Sequence, residues 1–238
     1  MSTQTQNRKR FLLPLLLLAV AALAVSAWQW RAAAREQDDS DAQAQMKPET
    51  EGDPPLMDFT GLQAQNPDII AWITIEELDI DYPVVQGTDN SYYLDHTAEK
   101  IKNKLGALFL DFRARRDFTD FNSVIYGHYI SSGKMFRYLS RMREKDWFGR
   151  VTQGLLYTPG KTYRLEFFAA ALAGSRSDFY QYTFPSPYQC QAHLDMIRAR
   201  AAQYRDIGVE AGDRLLTLST CSYEYDGART LVIARLAG

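Results

Sequence analysis

The chain has 238 residues, of which 46% are hydrophobic and 24% charged, so one domain with a packed core is possible and global disorder is not expected. Lysine and arginine together number 27 against 29 aspartates and glutamates, which gives a formal net charge of -2. A nucleic-acid-binding protein needs a basic face to offset the phosphates, and this near balance argues against that class of partner.

The N-terminus predicts a membrane anchor. The uncharged run FLLPLLLLAVAALAVSAWQW, residues 11–30, can span about 30 Å of hydrocarbon as a helix. The basic residues of NRKR predict that residues 1–10 stay in the cytoplasm and that the rest of the chain faces outward. The small residues AVSA at 24–27 are also compatible with signal-peptide cleavage, but the length of the apolar run favours a retained, single-pass anchor in the cell membrane.

After the anchor the composition changes twice. Residues 31–55 are polar and acid-rich, which predicts a flexible, solvated tether. A folded extracellular domain is expected over residues 56–238, beginning with a short helix that stops at Pro67. The stretches IIAWITI and LDIDYPVV follow, separated by Glu76 and Glu77, and together they predict a strand pair.

The remaining elements are strands with scattered helices. GALFLDF, NSVIYGHYI, GLLYTPG and KTYRLEFFAAALAG are typical of strands, and DRLLTLSTC and ARTLVIARL close the chain as two more. GKMFRYLSRMREKDWFG has helical spacing, with Met135, Leu139 and Met142 on one face. A further helix is predicted in SPYQCQAHLDMIRARAAQYRDIG, with Ser186 as N-cap and Pro187 at its first position. The pattern predicts a mainly β (α+β) domain, a small closed or nearly closed β-barrel decorated by helices.

The two cysteines stand in different settings. Cys190 falls on the apolar stripe of its predicted helix with Leu194 and Ile197, where a free cysteine behaves as a small hydrophobic residue. Cys221 ends the strand LLTLST, where a side chain becomes available for chemistry. An extracytoplasmic location permits a disulfide between them. The alternative is that Cys221 is a nucleophile, which requires a cationic or basic neighbour that ionises its thiol.

Three histidines could supply the base. His96 lies in a polar region and His193 among Gln and Asp, and both are interpreted as surface residues. His128 follows an apolar strand and Gly127, which leaves room for a ligand or a backbone turn. His128 is therefore the candidate, although a histidine at a strand end is more often structural than catalytic.

Arg229 opens the last strand and can donate several hydrogen bonds in a fixed fork, which suits an oxyanion. A tight turn at Asp226 and Gly227 would pair Arg229 with Glu224 and place Cys221 on the opposite face. A longer loop over residues 222–228 would instead place Cys221 and Arg229 opposite each other. The sequence permits both registers.

The stretches that carry these three residues resemble the sortases, cell-surface cysteine transpeptidases of mainly Gram-positive bacteria. TLSTC is similar to the sortase nucleophile strand, YGH to the strand end with the family's histidine, and ARTLVIARL to the strand that its arginine opens. NPDIIAWITI, DYPVVQGTDNSYYLDH, GALFLDFR and SVIYGHYISSGKMFRYL are similar to class B sequences, and the whole set stands in family order over residues 56–236.

The resemblance implies a sortase-type closed barrel of about eight strands, with N-terminal helices and a helix between the sixth and seventh strands. It implies that Cys221 attacks the carbonyl of a Thr in a C-terminal sorting signal and forms a thioacyl enzyme. His128 would act as general acid and then as base, and Arg229 would hold the oxyanion or the substrate backbone. The substrate-binding residues that it implies are Leu94, Tyr180, Ser219 and Thr220.

The partners that the resemblance implies are surface proteins with a sorting signal and an accepting amine, from a peptidoglycan precursor or a pilin lysine. Two other functions stay open on the residues alone. One is an extracellular cysteine hydrolase, in which water resolves the same intermediate, and the other is a non-catalytic surface-binding domain stapled by Cys190 and Cys221. No cofactor is expected, because the sequence has no cluster of metal ligands and no phosphate loop, and a regulatory calcium site stays open.

Overall fold

The computed structural model describes residues 18–32, 34, 41–52, 55–130 and 135–238. The chain divides into two compact units between residues 39 and 40. In the first unit, residues 18–32 form a helix, which includes part of the anchor predicted at 11–30. Residues 1–17, and with them the predicted cytoplasmic segment and the start of the anchor, lie outside the described residues. None of the helices in the described part of the chain combines the length and the apolar content that a membrane span requires.

Among the described residues of the second unit, eight strands form a closed, mixed β-barrel. They are β3 (Ile69–Ile75), β4 (Ile80–Val85), β5 (Leu108–Leu110), β6 (Asn122–Tyr126), β7 (Gln153–Thr158), β8 (Lys161–Gly174), β10 (Leu215–Cys221) and β11 (Ala228–Ala237). Their order is β11-β10-β6-β5-β4-β3-β7-β8, and β11 pairs with β8 to close the barrel. The pairs β4–β5 and β6–β10 are parallel, and the other barrel pairs are antiparallel. The predicted barrel is confirmed.

In the part of the chain that the structure describes, three short strands lie outside this ring. β1 (Thr50–Glu51) pairs with β2 (Leu56–Met57). β9 (Gln203–Tyr204) extends the sheet at β8.

The α-helices among the described residues of the second unit include α1 (Thr60–Gln65), α2 (Lys145–Arg150) and α3 (Pro187–Arg200). α1 ends just before Pro67, and α3 begins at Pro187 with Ser186 at the N-cap position, both as predicted. α3 lies between β8 and β10, the sixth and seventh strands of the barrel in chain order.

The helix predicted around Leu139 is divided in two. The first part is a 3₁₀ helix, Arg137–Arg143, and the second is α2. Glu144 lies between them with an extended backbone, which interrupts the helix. Met135, Leu139 and Met142 are nonetheless all buried in the barrel core, as their spacing predicts.

Strand alternation divides the leucines of β10 between two of the three clusters of buried side chains in the described residues. Leu216 and Leu218 of β10 belong to the cluster inside the barrel, whereas Leu215 belongs to the cluster that includes Leu194 and Ile197 of α3. Full burial of one such side chain stabilises the fold by about 1.5–3 kcal/mol. Since alternate residues of a strand share a face, residues 217, 219 and 221 of β10 lie with Leu215 on the outside.

Residues 41–47, which the sequence assigns to the tether, contact the barrel domain. Gln43 is 1% exposed. Its side chain accepts a hydrogen bond from the Ala98 N–H at 3.2 Å and donates to the Gly106 carbonyl at 3.4 Å. Lys47 Nζ lies 2.8 Å from Asp81 Oδ1. These long-range polar partners, which composition does not reveal, distinguish this segment from a solvated tether.

The interpretation of His193 as a surface residue is wrong. His193 is 4% exposed, and the edges of Phe121 and Phe184 contact its ring at centroid distances of 6.1 and 5.0 Å. Its Nε2 atom has no hydrogen-bond partner among the described residues. Burial disfavours the charged imidazolium and lowers the pKa of His193 to about 4.

Because His193 is buried in its neutral form, we expect the stability of the fold to fall in acid, and we expect a His193→Phe variant to lack this loss. An unfolded histidine, with a pKa near 6.5, takes up a proton as the pH falls below that value, whereas the folded one resists protonation down to about pH 4. Lowering the pH from 7.5 to 4.5 should therefore lower the free energy of unfolding of the wild type by about 2–3 kcal/mol more than that of the variant. Urea unfolding of both proteins at the two pH values measures this. Equal losses in the two proteins would contradict the assignment.

Candidate active site

Three adjacent strands bring the three predicted catalytic residues to one level of the barrel wall. Cys221, the last residue of β10, lies directly opposite Arg229 of β11. On its other side, β10 runs parallel to β6, with Ser219 beside Tyr126, the last residue of β6. The Gly127 N–H donates to the Ser219 carbonyl and continues this pairing, so that His128, two residues after Tyr126, comes to the level of Cys221. Neighbours at one level of a sheet share a face, so the three side chains project from the outer side of the barrel together.

The register between β10 and β11 is that of the longer loop, not of the tight turn. The Ser222 N–H donates to the Ala228 carbonyl at 3.0 Å, a bond that flanks a non-hydrogen-bonded pair, in which opposite side chains are closest. Glu224 accepts hydrogen bonds from Arg143 and from the Ser222 hydroxyl instead of facing Arg229. Arg229 Nη1 donates to the Ala228 carbonyl at 2.9 Å, which uses one of the five N–H groups of its guanidinium.

A backbone carbonyl fixes the tautomer of His128. Its Nε2 atom lies 2.7 Å from the Leu94 carbonyl oxygen. Because a carbonyl only accepts, Nε2 must carry a hydrogen and donate it. Nδ1 is then the ring nitrogen that serves for proton transfer.

Packing leaves no space for a side chain at Gly127. A Cβ at this position would lie 2.4 Å from Leu108 Cδ2 and 2.6 Å from Phe136 Cδ2, so the expected room beside His128 is already filled. The Gly127 N–H donates to the Ser219 carbonyl at 3.0 Å and ties the chain before His128 to β10. Of the two sequence interpretations of Gly127, room for a ligand or for a backbone turn, the first is not supported where a Cβ would lie, because Leu108 and Phe136 fill that space.

Cys221 opens into a cavity of about 240 Å³. All seven site residues predicted from the sequence line it. Within it, the hydroxyls of Tyr180 and Ser219 are 2.8 Å apart, and burial raises the pKa of Tyr180 to about 12, so its hydroxyl stays protonated. Thr220 also borders the cavity, but by strand alternation its buried side chain faces the barrel interior, which leaves its backbone for the cavity.

Sequence reasoning missed several cavity residues, among them Asn90 and Tyr126. Both donate a hydrogen bond to the carboxylate of Asp111, which directly follows β5. The signal that could have found them is the stretch DFR, in which an acidic residue follows a buried strand and an arginine stands two positions later.

Both cysteines are free. Cys190 is 7% exposed within α3, and burial raises the pKa of its thiol. The structure therefore gives no support to a domain stapled by Cys190 and Cys221.

Thiol titration without reductant should therefore detect two free thiols that differ in accessibility. Cys221 should react in the native protein, whereas Cys190 should react only after unfolding, because its sulfur is packed in the core. A Cys221→Ala control should show no reactive thiol when native and one when unfolded. A wild type that showed no thiol even in denaturant would instead establish the staple.

Comparisons with known proteins agree with this geometry. A family model described as a sortase domain matches residues 73–237. Sortase B of Listeria monocytogenes is 34% identical over 180 residues, which cover 74% of this chain and 72% of that protein. The crystal structure of Clostridium perfringens sortase B superposes with a TM-score of 0.72 at 31% identity, covering 76% of this chain and 100% of that one. A Staphylococcus aureus sortase B–substrate complex superposes with a TM-score of 0.71 at 27% identity, covering 75% of this chain and 83% of that one.

Proposed function

This chain belongs to the sortase family, in its class B, and from that premise we propose that Cys221, His128 and Arg229 form its catalytic centre. Membership makes it a cysteine transpeptidase that anchors surface proteins to the cell wall. The observation that supports the residue assignment is that Cys221 lies opposite Arg229 and that both line one cavity together with His128.

The first half-reaction forms a thioacyl enzyme. The Cys221 thiolate attacks the carbonyl carbon of a Thr in the sorting signal, and the carbonyl electron pair moves to the oxygen. The guanidinium of Arg229, directly opposite Cys221, donates hydrogen bonds to that oxyanion. When the intermediate collapses, the C–N bond breaks and protonated His128 gives the Nδ1 proton to the leaving amine. The downstream peptide departs, and the Thr carbonyl stays bonded to sulfur.

The second half-reaction runs in the opposite sense. His128, now neutral, takes a proton from the incoming amine, which attacks the thioester carbonyl. The C–S bond breaks, Cys221 leaves as a thiolate, and a new amide bond remains. The acceptor that we propose is an amine of a peptidoglycan precursor or of a pilin lysine.

We further propose that the sorting signal lies in the cavity beside Cys221. Leu94, Tyr180 and Ser219 line it with side chains, and Thr220 borders it. The shared hydrogen bond between Tyr180 and Ser219 leaves acceptor capacity on both oxygens for a substrate N–H. A sortase B of Staphylococcus aureus has been solved in complex with a substrate, which supports substrate binding by this fold.

The proposed location is the cell membrane, with a single span at residues 11–30 and the catalytic domain outside. The uncharged run and the basic residues before it support this orientation. An outward-facing domain would meet its surface-protein and cell-wall substrates on the same side of the membrane.

Transpeptidation is tested with the full chain in detergent, a panel of sorting-signal peptides and a panel of amines, with products read by mass spectrometry. We expect a product in which the peptide, cut after Thr, is joined to an amine, and a thioacyl adduct on Cys221. The Cys221→Ala control should lose turnover by at least about 10³-fold, because the variant lacks the nucleophile of the proposed mechanism. Turnover that persisted in Cys221→Ala would contradict the mechanism. Cleavage without joining to any amine would favour the hydrolase.

A further inference from the structure

A buried carboxylate lies behind the cavity wall. Asp111 is 2% exposed and is not among the residues that line the cavity. Arg113 holds it in a bidentate ion pair, with Nε 2.8 Å from Oδ1 and Nη2 2.7 Å from Oδ2. Burial alone would raise the pKa of the Asp111 carboxyl, but the hydrogen bonds from Arg113 and Asn90 outweigh it and hold the pKa below its ordinary value. The carboxylate is therefore ionised at neutral pH and accepts hydrogen bonds only.

The same carboxylate orients two residues that do line the cavity. Asn90 Nδ2 and the Tyr126 hydroxyl each donate to Asp111 Oδ2 at 3.0 Å. The Asn90 amide is also fixed at its other end, since its Oδ1 accepts the Phe112 N–H at 3.0 Å. The single hydroxyl hydrogen of Tyr126 is used by Asp111, so its oxygen can serve a further partner only as an acceptor.

Arg113 extends the connection to the segment that follows β8. Its guanidinium carbon lies 4.1 Å from the centroid of the Tyr182 ring, a cation–π contact. In the same segment, the Tyr180 ring stacks on Tyr126 at a centroid distance of 6.1 Å and an interplanar angle of 17°. Arg113 and Tyr182 line a second cavity, of about 600 Å³, which shares Tyr126 and Tyr180 with the first.

We propose that Asp111 is a positioning residue for the sorting signal. Its ionised carboxylate fixes Asn90 and Tyr126 directly and the segment of Tyr182 through Arg113, so three parts of the wall are in place before a peptide binds. A preformed wall lowers the cost of ordering side chains on binding. The inference rests on the proposed function, because it concerns the same cavity, but it assigns Asp111 no contact with the substrate or with Cys221.

The test is Asp111→Asn in the full chain, assayed for turnover of a sorting-signal peptide and for alkylation of Cys221 by iodoacetamide. The carboxamide has the same shape but presents an NH₂ group to donors that need an acceptor. We expect kcat/KM for the peptide to fall by about tenfold to hundredfold, chiefly through KM, because misplaced walls bind the peptide less well. The alkylation rate should stay within about twofold, since a small reagent needs only the thiol.

A matched control is Asp81→Asn. Asp81 also accepts three side-chain donors, from Lys47 at 2.8 Å, Trp72 at 2.7 Å and Thr74 at 2.8 Å, but it is not among the residues that line either cavity. Its peptide kcat/KM should stay within about twofold of wild type, because distant sites act independently. A general loss of rigidity would lower both variants together.

Tyr126→Phe is the second variant, and it tests the positioning role of Asp111 if Asp111→Asn does not fold. It keeps the buried ion pair and removes only one donor to it, so kcat/KM should fall by about threefold to tenfold. The inference is overturned if folded Asp111→Asn turns over peptide like the wild type, if Cys221 alkylation falls as much as turnover, or if Tyr126→Phe has wild-type turnover. A wild type without Cys221-dependent turnover would overturn the proposed function, and this inference with it.

Discussion

The parallel pairing of β6 with β10 is the constraint on which the site depends. It brings His128 to the level of Cys221, while the antiparallel partner β11 brings Arg229 to the same level from the other side. β10 is therefore paired on both edges. β11 also pairs with β8, which closes the barrel. A slip of one residue would turn every side chain of β10 to its other face and send Cys221 toward the barrel interior.

The arginines around the cavity differ in their partners. Arg143 pairs with Glu224 and ties the loop over residues 222–228 to the 3₁₀ helix, whereas Arg113 pairs with Asp111 behind the cavity wall. Arg229, by contrast, lies in the cavity opposite Cys221 and keeps most of its N–H groups for other partners. In a cavity that is partly enclosed by protein, N–H groups without a hydrogen-bond partner stabilise developing negative charge more strongly than they would in water.

The fold and the candidate catalytic residues were largely predictable, because their signals are local. Strand alternation, the short helix before Pro67 and the start of α3 at Pro187 follow from neighbouring residues, and the motifs around Cys221, His128 and Arg229 led to the family. The register was not predictable, since a tight turn and a loop over residues 222–228 satisfy the same apolar pattern. Features set by distant residues were missed for the same reason: Phe121 and Phe184 bury His193, Asp111 orients Tyr126, and Ala98 and Gly106 hold Gln43.

The central claim, that Cys221 and Arg229 face each other as a non-hydrogen-bonded pair, can be measured directly by cross-linking. Such a pair has Cα atoms about 4.5 Å apart, within the range that a disulfide accepts. In a Cys190→Ser background, Arg229→Cys should give an intramolecular disulfide with Cys221 under mild oxidation of the native protein. The control Thr230→Cys, whose side chain points to the other face, should not cross-link. A disulfide in the Thr230→Cys variant, or none in Arg229→Cys, would contradict the register and the catalytic arrangement built on it.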